Sequence, residues 1–529
     1  MPKGGQLAKH LIIIFLFISL NSKTIDIELD QMSAPEIYER CYAKLLNKPV
    51  PQDNSVLIGL SSKPIQDAEN ACENLLNLAE FDSTTDQIQN KNGEEAKEIL
   101  KTFQLLHNSW FSSKVILDDS PIQKLLYDVD EPANYWTRAL FRPNTRVDSV
   151  LLYNKSLKSI RSRPDLLTKS HYQVRTFFSY PNNIIGVTRS DLDILLRVSF
   201  IKDMSLVKIK DATIDGRNYD YIDVPNENIS QFGDLIGITD QPPLIIPRLL
   251  FPLSNNSKID INLLNPLGGF NYNIDIHKHD GGGILGSNVY AFKNSNLNRG
   301  SKAKGYDIID RRFASRVFED LLCYQLPILS PQDVIVYPNS IYPFQRNRSC
   351  MQCHATIDEF AMMQRNYIFI SNSSFTGSFL KPTSTPIPMA QDPSPIGAQF
   401  FARQKLPSDP SSTDFAFSPP AGTLDFRTFS GSRVRANITS FEDVGKILSQ
   451  QDDFYTCTAK KYYKYFTGID VQLGSIAKTP LEQQHLDFVS KLGNELKNSS
   501  QQSTKELIVK IFKSKAFQSR NYKTEENSP

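Results

Sequence analysis

Residues 348–358 read RSCMQCHATID, and this stretch decides how the rest of the chain is interpreted. Cys350 and Cys353 lie three positions apart, and His354 follows directly. On one helical turn, two thiols at this spacing can each form a thioether to a vinyl group of one porphyrin, while the next imidazole points at its iron. The pentapeptide therefore predicts one covalently attached haem c, with His354 as the proximal iron ligand.

Two other chemistries use a C-x-x-C spacing. A zinc knuckle needs a second pair of Cys or His ligands nearby, and no such pair follows His354 within the next hundred residues. A thioredoxin-like pair is expected where a strand leads into a helix, and the Pro- and Asn-rich approach to Cys350 is not typical of that junction. A disulfide between Cys350 and Cys353 and a metal site are thus the weaker hypotheses.

A sixth iron ligand has to approach the opposite face of the haem. Met389 follows Pro386, Ile387 and Pro388, and a proline-stiffened loop suits a fixed thioether ligand. His277 or His279 is the second candidate, and an open distal site is the third. The two histidines precede three glycines, 281–283, so this stretch is either close to the haem or an ordinary surface turn before an element at 284–292.

The first residues have the features of a secretion signal. Lys3 and Lys9 precede an apolar run at 11–20, and polar residues follow it. The run is too short to span a bilayer comfortably, and no other stretch is long and apolar enough. Residues 1–24 are therefore expected to be a signal peptide of a periplasmic or secreted protein, without a membrane span after its removal. A retained N-terminal anchor is the alternative.

Four further cysteines remain, and an oxidising compartment favours two disulfides. Three pairings are open. The economical one joins Cys41 to Cys72 between two N-terminal helices and Cys323 to Cys457 between helices that flank the haem segment. Free buried thiols are the alternative at one or more of these positions.

Composition sets bounds on partners and size. The 529 residues contain 59 Lys and Arg against 57 Asp and Glu, so bulk charge attracts neither nucleic acid nor an anionic membrane. Apolar residues make up 40% of the chain, which is ample for packed cores. A length of this size suggests several domains.

Hydrophobic periodicity predicts a mainly α, multidomain chain. A helix is expected after a capping box at Ser33 and Glu36, with apolar residues at helical spacing from Ile37 to Leu46, and further helices are expected at 66–80, 94–111, 120–127, 131–141 and 310–324. The haem segment is expected to be helical through about Met363. The last helices are expected from a cap at Ser440 to about 450, at 453–466 with Gly468 closing it, and at 480–497 and 504–519. In contrast, the stretch from 146 to 280 has short apolar runs separated by Asn, Asp, Gly and Pro, which favours loops and short strands. The predicted division is a helical N-terminal domain (25–145), an irregular, partly β middle domain (146–280), a cytochrome c-like haem domain with a Pro/Ser/Thr-rich loop (281–436) and a C-terminal helical domain (437–529).

The order of motifs resembles the large secreted, cytochrome-like proteins of planctomycetes, myxobacteria and predatory bacteria, a multidomain family mostly of unknown function. The resemblance covers roughly residues 270–520 and is carried by GGILGSNVY (282–290), NRGS (298–301), VFEDLLCYQLPILSP (317–331), RSCMQCHATID (348–358), CTAKKYYKYFTG (457–468) and LIVKIFKSKAFQSR (507–520). It implies a mostly α-helical haem-binding protein in which Cys350, Cys353 and His354 match the attachment motif. This chain departs from the family where Glu359, rather than Pro, follows Asp358. The family supplies no defined reaction.

These observations favour a monohaem c-type cytochrome that passes single electrons between redox partner proteins. A haem enzyme or sensor is the alternative: an open distal site would make the chain peroxidase-like, with His277 or His279 handling protons. A third hypothesis is an interaction module for envelope components or polymers, in which residues 146–280 bind and the haem is subsidiary. Whether the chain is an enzyme stays open.

A helix rich in aromatic and basic residues follows the haem segment. Its tyrosines at 455–465 are expected either beside the haem or in ordinary core packing. Lys460, Lys461 and Lys464 are expected to form a solvated helix face or, alternatively, a basic docking face for an acidic partner. His107, on an earlier helical stripe, is expected to be structural.

Overall fold

The computed structural model describes residues 30–90, 93–111, 128–162, 172–176, 208–214, 217–224, 233–240, 248–253, 270–275, 279–294, 307–365, 367–372, 400–405, 410–411 and 418–520. Helices dominate these residues, so the prediction of a mainly α chain is confirmed. The expected signal segment, the predicted helix at 120–127, His277 and Met389 lie outside the described residues.

The described residues of the N-terminal part form the helices α1 (Ala34–Leu46), α2 (Ser55–Gly59), α3 (Ile65–Asn77), α4 (Glu94–Ser109), α5 (Glu131–Phe141) and α6 (Ser149–Leu152). Helix α1 begins with the predicted capping box, in which the Ser33 backbone N–H donates to the Glu36 carboxylate over 2.8 Å. Their apolar stripes face inward, as helical periodicity requires. Helix α5 has the predicted bounds, and it is buried along its whole length.

The middle region contains short antiparallel strands. They are β1 (Lys158–Arg161), β2 (Tyr172–Thr176), β3 (Lys208–Ile214), β4 (Arg217–Val224), β5 (Leu235–Thr239), β6 (Arg248–Leu253) and β7 (Phe270–Asp275). Strand β1 pairs with β5, β6 pairs with β7, and the third sheet has the order β2-β4-β3. The expectation of short strands between 146 and 280 is confirmed for these residues.

Helices return after residue 280: α7 (Asn288–Lys293), α8 (Asp307–Leu322), α9 (Arg348–Ala361), α10 (Phe441–Ser449), α11 (Asp452–Thr467), α12 (Pro480–Asn498), α13 (Thr504–Phe512) and α14 (Lys515–Gln518). Two hairpins, β8 (Tyr367–Asn372) with β9 (Phe400–Lys405) and β10 (Gly422–Arg427) with β11 (Arg433–Ile438), separate α9 from α10. Gly468 ends α11 at a φ of 79°, as predicted. The single helix expected at 504–519 is two helices, because Ser514 caps a second start. None of the helices in the described part of the chain combines the length and apolarity that crossing a bilayer requires.

One continuous apolar core contains residues from the N-terminal helices, from 284–292 and from the C-terminal helices. The two ends of this body are joined directly: the backbone N–H of Met32 donates to the Gln518 carbonyl over 2.8 Å, and the Arg40 guanidinium donates to the Phe517 carbonyl. Packing between segments far apart in sequence therefore stabilises the helical part as a unit. The predicted domain boundaries stay a prediction.

The glycine stretch 281–283 lies in the interior, so the expectation of a surface turn is wrong. All three glycines have positive φ angles, between 58° and 80°. A Cβ on Gly282 would lie 2.2 Å from the Phe441 carbonyl oxygen, and one on Gly283 would lie 2.0 Å from that of Val150. The glycines are required because this backbone crosses α6 and the start of α10 at near-contact distance.

Of the two disulfides in the economical pairing, only the one between Cys323 and Cys457 is formed. Cys323 and Cys457 form a disulfide that ties the chain just after α8 to α11. Cys41 and Cys72 lie in contact between α1 and α3 but remain two thiols, so the second expected bridge is absent. Both are fully buried, and burial raises the pKa of the Cys41 thiol well above its ordinary value.

The passage of glycines 281–283 across α6 and α10, called the glycine crossing, gives a first prediction. Gly282→Ala adds both a strained positive φ and a steric clash with the α10 backbone, so we expect it to lower the free energy of unfolding by about 2–5 kcal/mol. Gly468→Ala is the matched control, because Gly468 has a similar φ with no atom within 4 Å of an added Cβ, and we expect a loss of about 1–2 kcal/mol. Urea unfolding measures both; equal losses would show that the close approach does not exist.

The disulfide gives a second prediction. Replacing Cys323 and Cys457 together by Ser should lower the free energy of unfolding by about 2–5 kcal/mol, because the unfolded chain loses a long-range constraint. A reducing agent should destabilise the wild-type protein similarly and leave the double variant unchanged. Non-reducing peptide mapping supplies the direct check, and the idea is refuted if no peptide linking these two cysteines is recovered.

Candidate haem-attachment site

Helix α9, which carries the motif, is held between two apolar surfaces. On one side Phe360 is buried in the main core with its ring centroid 5.8 Å from that of Phe318, and Thr356 donates to the Asp425 carbonyl over 2.9 Å. On another side Met351 packs in a small separate cluster with Leu329 and Val334. These contacts fix the rotation of the helix about its axis.

The three motif side chains lie on the face between those two contacts. Positions 350, 353 and 354 are neighbours at the i, i+3 and i+4 spacing, and all three residues are half-buried. Cys350 and Cys353 are separate thiols. Burial raises the pKa of the Cys353 thiol, and the nearby Cys350 adds to the increase. Both sulfur atoms and the imidazole are thus presented together on a partly open surface.

His354 is oriented through one ring nitrogen only. Its Nδ1 lies 3.2 and 3.1 Å from the two carboxylate oxygens of Asp358. The Phe344 ring stacks on the imidazole with centroids 4.3 Å apart and planes inclined by 30°. No group in the described part of the chain forms a hydrogen bond to Nε2. A hydrogen bond at Nδ1 with a free Nε2 is the usual arrangement of a metal-binding histidine.

Asp358 is itself held from another helix. The Arg311 guanidinium, on α8, donates to both of its carboxylate oxygens, over 2.6 and 3.0 Å. Arg311 also lies over the face of Phe344, 5.7 Å from the ring centroid. Sequence reasoning missed Asp358, Arg311 and Phe344 as site residues. The i, i+4 spacing of His354 and Asp358 was the available signal for the first; the other two are brought in by tertiary packing.

A stretch of exposed apolar side chains lies beside this face. Among the described residues, four of the nine large hydrophobic side chains that are exposed fall within 335–342, and they are Ile335 (68% exposed), Tyr337 (51%), Ile341 (79%) and Tyr342 (54%). The Tyr342 ring lies 6.0 Å from that of Phe344, which stacks on His354. Exposed apolar side chains concentrated in this way mark a surface that a ligand or partner covers.

The segment that carries these side chains is fixed at both ends. Asp333 accepts two hydrogen bonds from Arg427 of strand β10, over 2.6 and 2.8 Å. The Tyr337 backbone N–H donates to the Gln345 carbonyl, and the Gln352 side chain donates to the Leu329 carbonyl. The apolar stretch is therefore an ordered part of the site.

Of the predicted distal ligands, only His279 lies in the described residues. Its Nδ1 accepts from the Gly281 backbone N–H over 3.1 Å, and its Nε2 lies 2.9 Å from both the Gly283 carbonyl and the Tyr135 hydroxyl. A distal role for His279 would require breaking these bonds, which shape the glycine crossing. Met389 and His277 stay predictions.

Lys460, Lys461 and Lys464 together form neither the solvated helix face that was expected nor the alternative basic docking face. The Lys461 ammonium lies over the rings of Trp110 and Trp136, at 4.9 and 5.9 Å from their centroids, and burial lowers the pKa of this lysine to about 8. Lys460 and Lys464 both pair with Asp470. The tyrosines of α11 serve the core; Tyr462, for example, bonds Nε2 of His107 over 2.9 Å, which confirms His107 as a structural residue.

The donor set of the motif fits a covalently bound haem: two uncrosslinked thiols at the attachment spacing, an oriented imidazole with a free Nε2, and an apolar surface alongside. Among the described residues no group of three or more His, Cys, Asp or Glu side chains is arranged to hold a metal ion by itself. No protein-family description, curated protein or solved structure matches the chain.

Proposed function

We propose that this chain is a monohaem c-type cytochrome of the periplasm or the secreted fraction, which moves single electrons between redox partner proteins. Cys350 and Cys353 would hold the haem covalently, and His354 would ligate its iron. The observation that carries the proposal is the presentation of two free thiols and an Nδ1-bonded imidazole on one face of α9. Bound haem would supply a reversible one-electron couple.

The surroundings of α9 support this proposal over a simple thiol pair. A disulfide between Cys350 and Cys353 would leave the stacked imidazole and the exposed stretch 335–342 without a role. A haem on this face would cover large apolar side chains that are now exposed, and burial of apolar area contributes about 25 cal/mol per Å². His354, Phe344 and the apolar stretch are together what a flat, largely apolar macrocycle requires.

The order of motifs adds a second line of support. It resembles the secreted cytochrome-like proteins of planctomycetes, myxobacteria and predatory bacteria, and we propose that the chain belongs with them. The disulfide between Cys323 and Cys457 agrees with an oxidising compartment, where such bonds persist.

A haem enzyme or sensor with an open distal site is the second candidate. One observation favours it: both ring nitrogens of His279 are already used in the glycine crossing, which removes this imidazole from the set of distal ligands. Binding of carbon monoxide to the ferrous protein separates the two candidates, because a six-coordinate carrier excludes it and an open site binds it.

Covalent haem attachment is the decisive test, and it uses the full chain produced in a host with periplasmic c-haem maturation. We expect a c-type pyridine haemochrome band and an intact mass increased by one haem. Replacing Cys350 and Cys353 by Ala should abolish both signals, because neither thioether can form. Replacing Cys41 and Cys72 by Ala is the matched control and should leave both unchanged, since this thiol pair lies in the core between α1 and α3.

Two results would contradict the proposal. One is a wild-type protein, folded by circular dichroism, whose mass shows no added haem after such expression. The other is retention of the haem band in the Cys350, Cys353 double variant, which would move the cofactor site elsewhere.

A further inference from the structure

We propose that Asp358 and Arg311 form a positioning pair that fixes the tautomer and ring orientation of His354 and sets the reduction potential of the haem. This inference rests on the proposed function. It starts from a closed ring of contacts in which Asp358 bonds the imidazole, Arg311 bonds Asp358, and Phe344 touches both Arg311 and His354.

The first link is set by the helix itself. His354 and Asp358 are at the i, i+4 spacing on α9, so their side chains meet on one face whenever this helix forms. With Nδ1 at 3.2 and 3.1 Å from the carboxylate oxygens, a neutral imidazole lowers its energy by carrying its proton on Nδ1 and donating it. The lone pair of Nε2 is then directed away from the carboxylate, toward the iron of a bound haem.

The second link determines how strongly the carboxylate acts. An isolated carboxylate would draw the Nδ1 proton strongly and make the imidazole more electron-donating. Arg311 donates two parallel hydrogen bonds to Asp358, which share its negative charge and fix its plane. The pair therefore sets an intermediate donor strength for His354.

The third link restrains the ring. Phe344, in the segment before α9, stacks on the imidazole. Arg311, on α8, lies over the Phe344 ring. His354 thus contacts Asp358 and Phe344 directly, and Arg311 contacts both of these residues. A histidine restrained in this way cannot rotate freely about its side-chain bonds, so its orientation is defined before any haem is attached.

A simpler role for the same ion pair is a structural clamp, which only holds α8 against α9. A clamp predicts loss of stability when either residue is replaced and no effect on the chemistry of the imidazole. A positioning pair predicts a change of His354 tautomer, and it predicts opposite effects of the two residues on the iron. A clamp alone leaves both the His354 tautomer and the reduction potential unchanged.

The first measurement uses protein made without haem maturation. Nitrogen-15 NMR of its histidines should show the Nδ1–H tautomer for His354, with the resonance assigned by its absence in His354→Gln. Asp358→Ala should shift this tautomer population toward Nε2–H. Asp148→Ala is the matched control, because Asp148 also accepts two hydrogen bonds from an arginine, Arg146, but forms none with His354 or with residues 335–344, and it should leave the tautomer unchanged. An unchanged tautomer in Asp358→Ala, with the fold intact by circular dichroism, overturns the inference.

The second measurement uses the haem-loaded protein. Asp358→Asn should raise the reduction potential, because the imidazole loses its strongest acceptor. Arg311→Gln should lower the reduction potential, because the carboxylate loses its compensating charge. Shifts of the same sign in both variants, or shifts no larger than that of Asp148→Asn, would leave only a clamp and overturn the inference.

The two proposals fail in different ways. If no haem is attached, the proposed function fails, and the inference about potential fails with it, while the tautomer measurement still decides the orientation of His354. If haem is attached normally and replacing Asp358 changes neither the tautomer nor the reduction potential, only the inference is overturned.

Discussion

Burial of Phe360 in the main core is the constraint on which the candidate site depends. Once its ring packs against Phe313 and Phe318, helix α9 can have only one rotation about its axis. Strand β10 then passes so close to the helix that a Cβ on Gly422 would lie 2.6 Å from the Glu359 carbonyl oxygen. With this side occupied, Cys350, Cys353 and His354 must lie on the part of the helix that the core leaves open. The packing of the core therefore determines the geometry of the candidate site.

Local sequence signals predicted the helices that have their own start and stop residues. The capping boxes at Ser33 and Ser440 and the terminating Gly468 all have the geometry that their spacing implies. The candidate attachment motif could be recognised for the same reason, since it consists of five consecutive residues, and its chemistry stays a proposal. Where the information lies within about one helical turn, sequence alone was sufficient to predict the helix ends.

The remaining features depend on contacts between distant segments, which local patterns do not contain. Arg311 and Asp358 are 47 positions apart, and no periodicity indicates that they meet. The glycines at 281–283 look the same in sequence whether they form a surface turn or a buried crossing. Lys461 belongs to a pattern of basic residues typical of a solvated face, yet its ammonium lies over the rings of Trp110 and Trp136. In each case tertiary packing overrides the local preference.

The histidines show how the fold assigns roles to chemically identical side chains. Outside the motif, each histidine of the described residues bonds a tyrosine hydroxyl: His107 bonds Tyr462, His279 bonds Tyr135, and His485 bonds Tyr463. Burial lowers the pKa of His107 and of His485, so these rings remain neutral and act as hydrogen-bonded packing groups. His354 instead bonds a carboxylate, which favours the proton on Nδ1 and increases the electron density at Nε2. A tyrosine hydroxyl can donate to an imidazole as well as accept from it, whereas a carboxylate only accepts. Among the histidines of the described residues, the choice of partner therefore distinguishes His354, which we propose ligates iron, from those that only pack.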